Sequence, residues 1–266
     1  MASTRAGLCV HVAPLAGAWG ETPVALAAFN RANTDMPDLH WTIPVARWSS
    51  WPAVAATAPD IGFIEPIVRR RLSTLSRAAL KVAHDCAGDL AGVRVVFASR
   101  HGELRRTTDI LRMISAGEPV SPTAFSLSVL NAMTGVFSIA RSDRSAASAI
   151  SAGAETVGYA LLEAHAQYAA DPANPVLIVY ADEPADPAYG TIEDEVQGGA
   201  LAILLDAGRA EGQLTCALTR ELAADAAPAC FPTQSQALEH CLDTHSAAAW
   251  QGASATWHWS WHDGAA

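Results

Sequence analysis

The chain has 266 residues, half of them hydrophobic, which supplies enough apolar material for a sizeable core in one domain spanning residues 1–266. Its 27 acidic residues outnumber 17 basic ones, for a formal charge of -10. That balance argues against an unaided nucleic-acid surface, and it repels anionic membranes and anionic carrier proteins except where arginines cluster.

In chain order, Gly7–Pro14 (GLCVHVAP) reads as a short β-type run. Pro14 and Gly17 interrupt its apolar stretch too early for a signal peptide, and no later stretch reaches the ~18 apolar residues of a membrane span. A soluble, cytoplasmic protein is expected. Residues 15–60 are rich in Trp and Pro and read as irregular. From Val68 to Leu90 the spacing turns helical. Val68, Leu72, Leu75, Ala79, Val82, Cys86 and Leu90 recur every three or four positions, and Gly92 follows as a stop.

Val93–Arg100 (VRVVFASR) predicts a buried strand, and ELRRTTDILRMISAG a second helix ending at Gly117. After a turn at Glu118–Pro122, AFSLSVLNAMTGVFSIAR predicts a further helix. Ser145–Ala164 (SAASAISAGAETVGYALLEA) reads as a strand near Ala146–Ser151 running into a helix from about Glu155 to Tyr168. Pro175–Asp182 is an almost unbroken apolar strand of the kind a covered sheet needs. GALAILLDAG and QLTCALTREL give two more strands. Beyond residue 222 the chain reads as a C-terminal extension, apart from WHWSWHD (Trp257–Asp263). There strict alternation puts Trp257, Trp259 and Trp261 on one strand face and His258, Ser260 and His262 on the other. This order predicts a layered α/β domain with a mostly parallel or mixed sheet and helices on both faces.

The five cysteines, Cys9, Cys86, Cys216, Cys230 and Cys241, show no paired spacing, which argues against a disulfide framework or a zinc site. Arg69, Arg70, Arg71, Arg77 and Lys81, with Arg100, Arg105, Arg106 and Arg112 further on, form a local basic patch. Its ordinary role is a solvated helix face.

The strand–helix junction at 150–155 is where an α/β enzyme often mounts a nucleophile, and here small residues crowd it. Around it, RRRLSTLSRAALKVA, PTAFSLSVLNAMTGVFSIA with Asn131 followed four residues later by Gly135, and SAISAGAETVGYALLEA carry a resemblance, as do PVLIVYADEP and GGALAILLD. From about residue 65 to 206 the chain resembles the N-terminal half of the β-ketoacyl synthases, which implies a thiolase-like fold. SRHGELRRT and SPTAFSLSV are similar to the short ketosynthase-like proteins of aryl-polyene pathways that are described as chain-length factors.

An active ketosynthase carries a Cys at the start of the helix after that junction. The helix dipole lowers its pKa there, and backbone N–H groups form an oxyanion hole. Aligned without a gap from Asn131, this position falls on Ala154; a gapped register puts it at Ile150 or Ser151. None of the three is Cys. The family's two histidines, in HGT-like and NFGFG-like motifs, have no counterpart in this sequence. These groups act as a unit, so their loss abolishes condensation.

The resemblance therefore implies a pseudo-enzyme without a catalytic residue or cofactor. It would pair with a full-length β-ketoacyl synthase as a heterodimer and shape the acyl tunnel, with the chain delivered on an acyl carrier protein. Tunnel or interface candidates on the Phe125–Ile139 segment are Leu127, Leu130, Asn131, Met133, Thr134 and Phe137, each of them also a plausible core residue by its spacing. Carrier-protein contact candidates are Arg69, Arg70, Arg71, Arg77, Arg105 and Arg106.

Three further constellations compete with that reading. Ser151 has Glu155 four residues on, although a small hydroxyl at a strand end and a first-turn acid favoured by the helix dipole explain both. His101-Gly102-Glu103 follows a strand and could do acid–base work, or serve loop structure. His258 and His262 lack an evident third metal ligand. The rival functions are an independent acyltransferase or thioesterase using Ser151 or Ser148 with His101, and a homodimeric scaffold without a tunnel.

Overall fold

A computed structural model describes residues 38–219, 229–253 and 255–264. The β-type run at Gly7–Pro14 lies outside these residues.

The first described element corrects the sequence reading, which left residues 15–60 irregular. β1 (Leu39–Trp51) is a strand of 13 residues. Trp41, Ile43 and Val45 alternate along it and are all buried. Pro44 disguises it, because proline cannot donate to a ladder and reads as a breaker. The strand accommodates it beside a register shift at Val45/Arg47. On either side of that bulge β1 pairs with different strands. Leu39–Val45 runs antiparallel to β6 (Gly212–Thr219), and Val45–Trp51 runs antiparallel to β5 (Gly199–Leu205).

α1 (Pro66–Arg69) is a single turn, and α2 (Thr74–Ala87) begins separately. The continuous helix expected from Val68 is thus broken, because Ser73 caps α2 by accepting a hydrogen bond from the Ser76 N–H. From Leu75 onward the expected apolar face holds, and Leu75, Ala79, Val82 and Cys86 are buried. β2 (Arg94–Ala98) and α3 (Leu104–Ser115) follow as expected. The next expected helix is also divided, into α4 (Pro122–Ser126) and α5 (Ala132–Arg141). The Ser126 and Ser128 hydroxyls donate to the Thr123 and Phe125 carbonyls, local bonds that compete with helix continuation.

β3 (Ala147–Ile150), α6 (Thr156–Ala170) and β4 (Val176–Asp182) complete the expected series. The stretch read as a C-terminal extension forms β7 (Ala229–Cys230), α7 (Gln234–Thr244), β8 (Ala248–Gln251) and β9 (Thr256–Asp263). A capping box, Thr233-x-x-Gln236, opens α7: the Thr233 hydroxyl accepts from the Gln236 N–H at 3.3 Å.

The nine strands of the described residues form one sheet, in the order β3-β2-β4-β5-β1-β6-β9-β8-β7. It is mixed. β2 pairs in parallel with β3 and β4, and β7 with β8, while the other ladders are antiparallel. The parallel share is smaller than the element order suggests, because the unrecognised β1 runs against both β5 and β6. Helices cover both faces, as expected. α2 and α5 pack on one, around Leu80, Phe97, Met133 and Phe137; α6 and α7 pack on the other, around Leu161, Leu238, Trp257 and Trp259. The predicted tryptophan strand is β9, with Trp257 and Trp259 fully buried and Trp261 stacked on His245. Among the described residues, no helix is long and apolar enough to cross a membrane, and no His/Cys/Asp/Glu cluster suits a metal.

Candidate functional site

The site is built at the junction between β3 and α6. Ile150 ends the strand, and Gly153 takes a left-handed backbone, φ +59°, that only glycine adopts freely. A tight turn over Gly153–Glu155 then leads into α6. The Thr156 hydroxyl fixes this corner, accepting from the Ala152 N–H at 2.9 Å and donating to the Gly153 carbonyl at 2.7 Å. Ala154 is half-buried and lines a cavity of about 20 Å³ with Arg100, Thr156, Tyr180, Gln234 and Trp250.

Gln234 was not reached by sequence reasoning. It is 2% exposed at the start of α7, and its Oε1 accepts from the Gly158 N–H at 2.8 Å. That N–H is one of those that the first turn of α6 leaves without an intrahelical partner. The capping box was the signal that would have placed the start of α7; no signal in sequence linked it to α6.

Ser151 is exposed and donates to the Arg100 carbonyl at 3.0 Å. Ser148 accepts from Gln167 Nε2 at 3.3 Å. His101 pairs through Nε2 with Glu195 at 2.7 Å and not with the neighbouring Glu103. Burial raises the Glu195 pKa, but the His101 hydrogen bond and the Val196 and Ala185 N–H groups outweigh it and hold the carboxyl below its usual range. Glu103 is buried and receives the Ser73 and Ser76 hydroxyls, both at 2.6 Å, and Arg106 Nε at 3.1 Å. Asp182 at the end of β4 is also buried. It accepts from Ser99 Oγ and from the Arg100 and His101 N–H groups, while desolvation pushes its pKa up. His101, Glu103 and Asp182 are thus tied into the loop after β2. The described thiols are elsewhere: Cys86 in α2, Cys216 in β6 and Cys241 in α7 are buried, and Cys230 is exposed. Burial pushes Cys86 up to about 12 and Cys241 to about 11.

The candidate tunnel residues divide. Met133, Thr134 and Phe137 point into the subunit's own core, and Arg141 lies over the Phe137 ring. Leu127 and Leu130 are half-buried, and Asn131 is exposed. Beside them Phe125, Val129 and Ile139 project outward, with Ile139 81% exposed. The arginines divide too. Arg77 donates to the Leu72 and Arg69 carbonyls, and Arg106 to Glu103 and the Arg71 carbonyl, so both brace the turn before α2. Arg69 is half-buried, whereas Arg70, Arg71 and Arg105 are exposed.

A mixed sheet with helices on both faces, and a small-residue corner leading into a buried helix, define a thiolase-like ketosynthase fold. The family model for the β-ketoacyl synthase N-terminal domain matches residues 46–260, and the chain belongs to that family. Among solved structures, it is similar to a chain of "Ketosynthase (ApeO) in Complex with its Chain Length Factor (ApeC) from Xenorhabdus doucetiae". The TM-score is 0.66 and the identity 25%, over 83% of this chain and 99% of that one. "The ishigamide ketosynthase/chain length factor" shares the fold at TM-score 0.50 and 17% identity, over 64% of this chain and 63% of that one. No curated protein matches.

Proposed function

We propose that this chain is a non-catalytic, chain-length-factor-like subunit that pairs with a full-length β-ketoacyl synthase and limits acyl chain growth. The setting would be aryl-polyene, polyketide or fatty-acid-type elongation in the cytoplasm. The observation that carries this reading is Ala154, which lines a cavity of about 20 Å³ at the head of α6. A methyl group cannot act as a nucleophile. The likeness to a ketosynthase–chain length factor complex supports the pairing.

Tunnel control is steric. Each further methylene gains ~0.8 kcal/mol by burial and loses more where a side chain blocks its path. Leu127, Leu130 and Asn131, at the turn between α4 and α5, are the candidates best placed to meet a partner, beside the exposed apolar Phe125, Val129 and Ile139. Met133, Thr134 and Phe137 would act from beneath, by holding that turn. Among the described residues, Arg70, Arg71 and Arg105 are the exposed candidates for contact with an acidic acyl carrier protein.

The test is co-expression with a β-ketoacyl synthase encoded beside it. Co-elution as a heterodimer at micromolar concentration is expected, and two proteins that elute separately would overturn the pairing. The serine-hydrolase alternative is not favoured, because neither candidate serine is bonded to His101: the Ser151 hydroxyl donates to the Arg100 carbonyl and Ser148 accepts from Gln167.

A further inference from the structure

We infer that Gln234 is the closing residue of the candidate site: its carboxamide fills the space over the start of α6 and excludes an acyl thioester whatever side chain stands at position 154. The inference rests on the reading of this corner as the counterpart of the ketosynthase nucleophile position, and it adds a second, independent lock to the missing thiol.

Three observations carry it. First, Gln234 comes from a different element, α7, yet its Oε1 takes the Gly158 N–H at 2.8 Å. That donor, in the first turn of α6, is therefore committed and cannot serve a developing oxyanion. Second, Gln234 lines the same cavity as Ala154, and only about 20 Å³ of it is open to the centre of a water molecule. Third, the carboxamide is only half used. Gln234 is 2% exposed, and its Nε2 has no protein acceptor among the described residues. An orphan buried N–H₂ costs stability, so capping Gly158 does not by itself account for a glutamine here. The side chain also cannot swing clear easily. Thr233 and Gln236 cap its helix, and the Thr233 hydroxyl also pairs with the adjacent Ser235 at 3.2 Å.

The test places a thiol in the corner and measures its accessibility. In the full chain carrying C9S and C230S, which removes the exposed Cys230 and the N-terminal Cys9, A154C is alkylated with iodoacetamide. Labelling at position 154 is followed by mass spectrometry. With Gln234 in place, alkylation is expected to be slow, and Q234A should accelerate it roughly tenfold or more by giving the reagent access. Q234L keeps the volume without the hydrogen bond and should stay slow. Should the alanine variant fail to fold, Q234S opens nearly the same space and retains a hydroxyl. Equal rates for A154C with and without the smaller residue would overturn the inference, as would a Q234L variant as fast as Q234A. This readout is separate from pairing. Protection with no co-elution overturns only the proposed partnership; co-elution without protection overturns only the role of Gln234.

Discussion

Gly158 and Trp257 meet with no space for a side chain between them: a Cβ built on Gly158 would lie 2.3 Å from the indole ring. This contact presses α6 onto β9 and so sets the height of the candidate corner. The ring is held in turn by Tyr159, edge-on at 5.1 Å, and by Trp259, stacked at 6.5 Å. Fully buried, it has nowhere to retreat. Gly158→Ala should gain about 1 kcal/mol of helix propensity and lose about 1–3 kcal/mol by overpacking. The second effect wins because the obstacle is a fixed ring. A lower urea midpoint at unchanged slope is expected, and a midpoint at or above wild type would contradict the packing.

The thiols give a second prediction. A condensing enzyme needs a reactive thiolate, and the buried cysteines do not provide one. Burial pushes Cys86 up to about 12, Cys241 up to about 11, and Cys216 well above the ordinary thiol value. Native protein treated with iodoacetamide at neutral pH should be labelled at Cys230, which is exposed, and not at Cys86, Cys216 or Cys241. In denaturant all four should react. Fast labelling of a buried one in the native state would reopen the question of a catalytic cysteine.

Legibility from sequence followed the physics of each segment. Apolar runs that pack on both sides, such as Val176–Asp182, and helices with a regular apolar stripe were readable because burial alone dictates their pattern. β1 was not, since Pro44 imitates a breaker and its pairing with β5 and β6 is non-local. The helix breaks at Ser73 and at Ser126–Ser128 depend on single hydroxyl bonds that periodicity does not report. At the site, the small-residue corner was legible, whereas its cover was not. Gln234 lies 80 residues beyond Ala154 in sequence, and only the fold of the C-terminal strands brings it over α6.

The outward apolar residues beside α5 yield a third prediction. Ile139 is 81% and Phe125 64% exposed, so neither contributes much to the subunit's own core. Ile139→Asp should leave the subunit's unfolding midpoint within ~0.5 kcal/mol of wild type, as surface changes do. It should weaken association with the ketosynthase at least about tenfold, because an unpaired carboxylate would be desolvated in the interface. Sedimentation or titration calorimetry measures the affinity. Unchanged binding of both I139D and F125D would move the interface elsewhere on the molecule.

The last prediction concerns pH and the loop whose Asp194 and Val196 line the cavity beside Ala154. Arg100 donates to the Glu193 and Asp194 carbonyls, and His101 pairs with Glu195, so this loop is tied to the end of β2 from two sides. Burial raises the Glu195 pKa, but the His101 bond and the Val196 and Ala185 N–H groups prevail and leave it below its ordinary 4.5. A carboxyl depressed in the folded state binds its proton more weakly there than in the unfolded chain. Its contribution is therefore complete above the unfolded value and is lost as pH falls through the folded one. Asp182 works in the opposite sense. Desolvation raises its pKa, so its share of stability is present at low pH and fades as pH rises through the folded value. Both proteins in the comparison keep Asp182, so the difference between wild type and Glu195→Gln reports the His101–Glu195 pair. That difference, from urea midpoints across a pH series, should shrink as pH drops below about 4.5. A gap that stayed constant into acid, or widened there, would mean that the His101–Glu195 pair does not hold the loop.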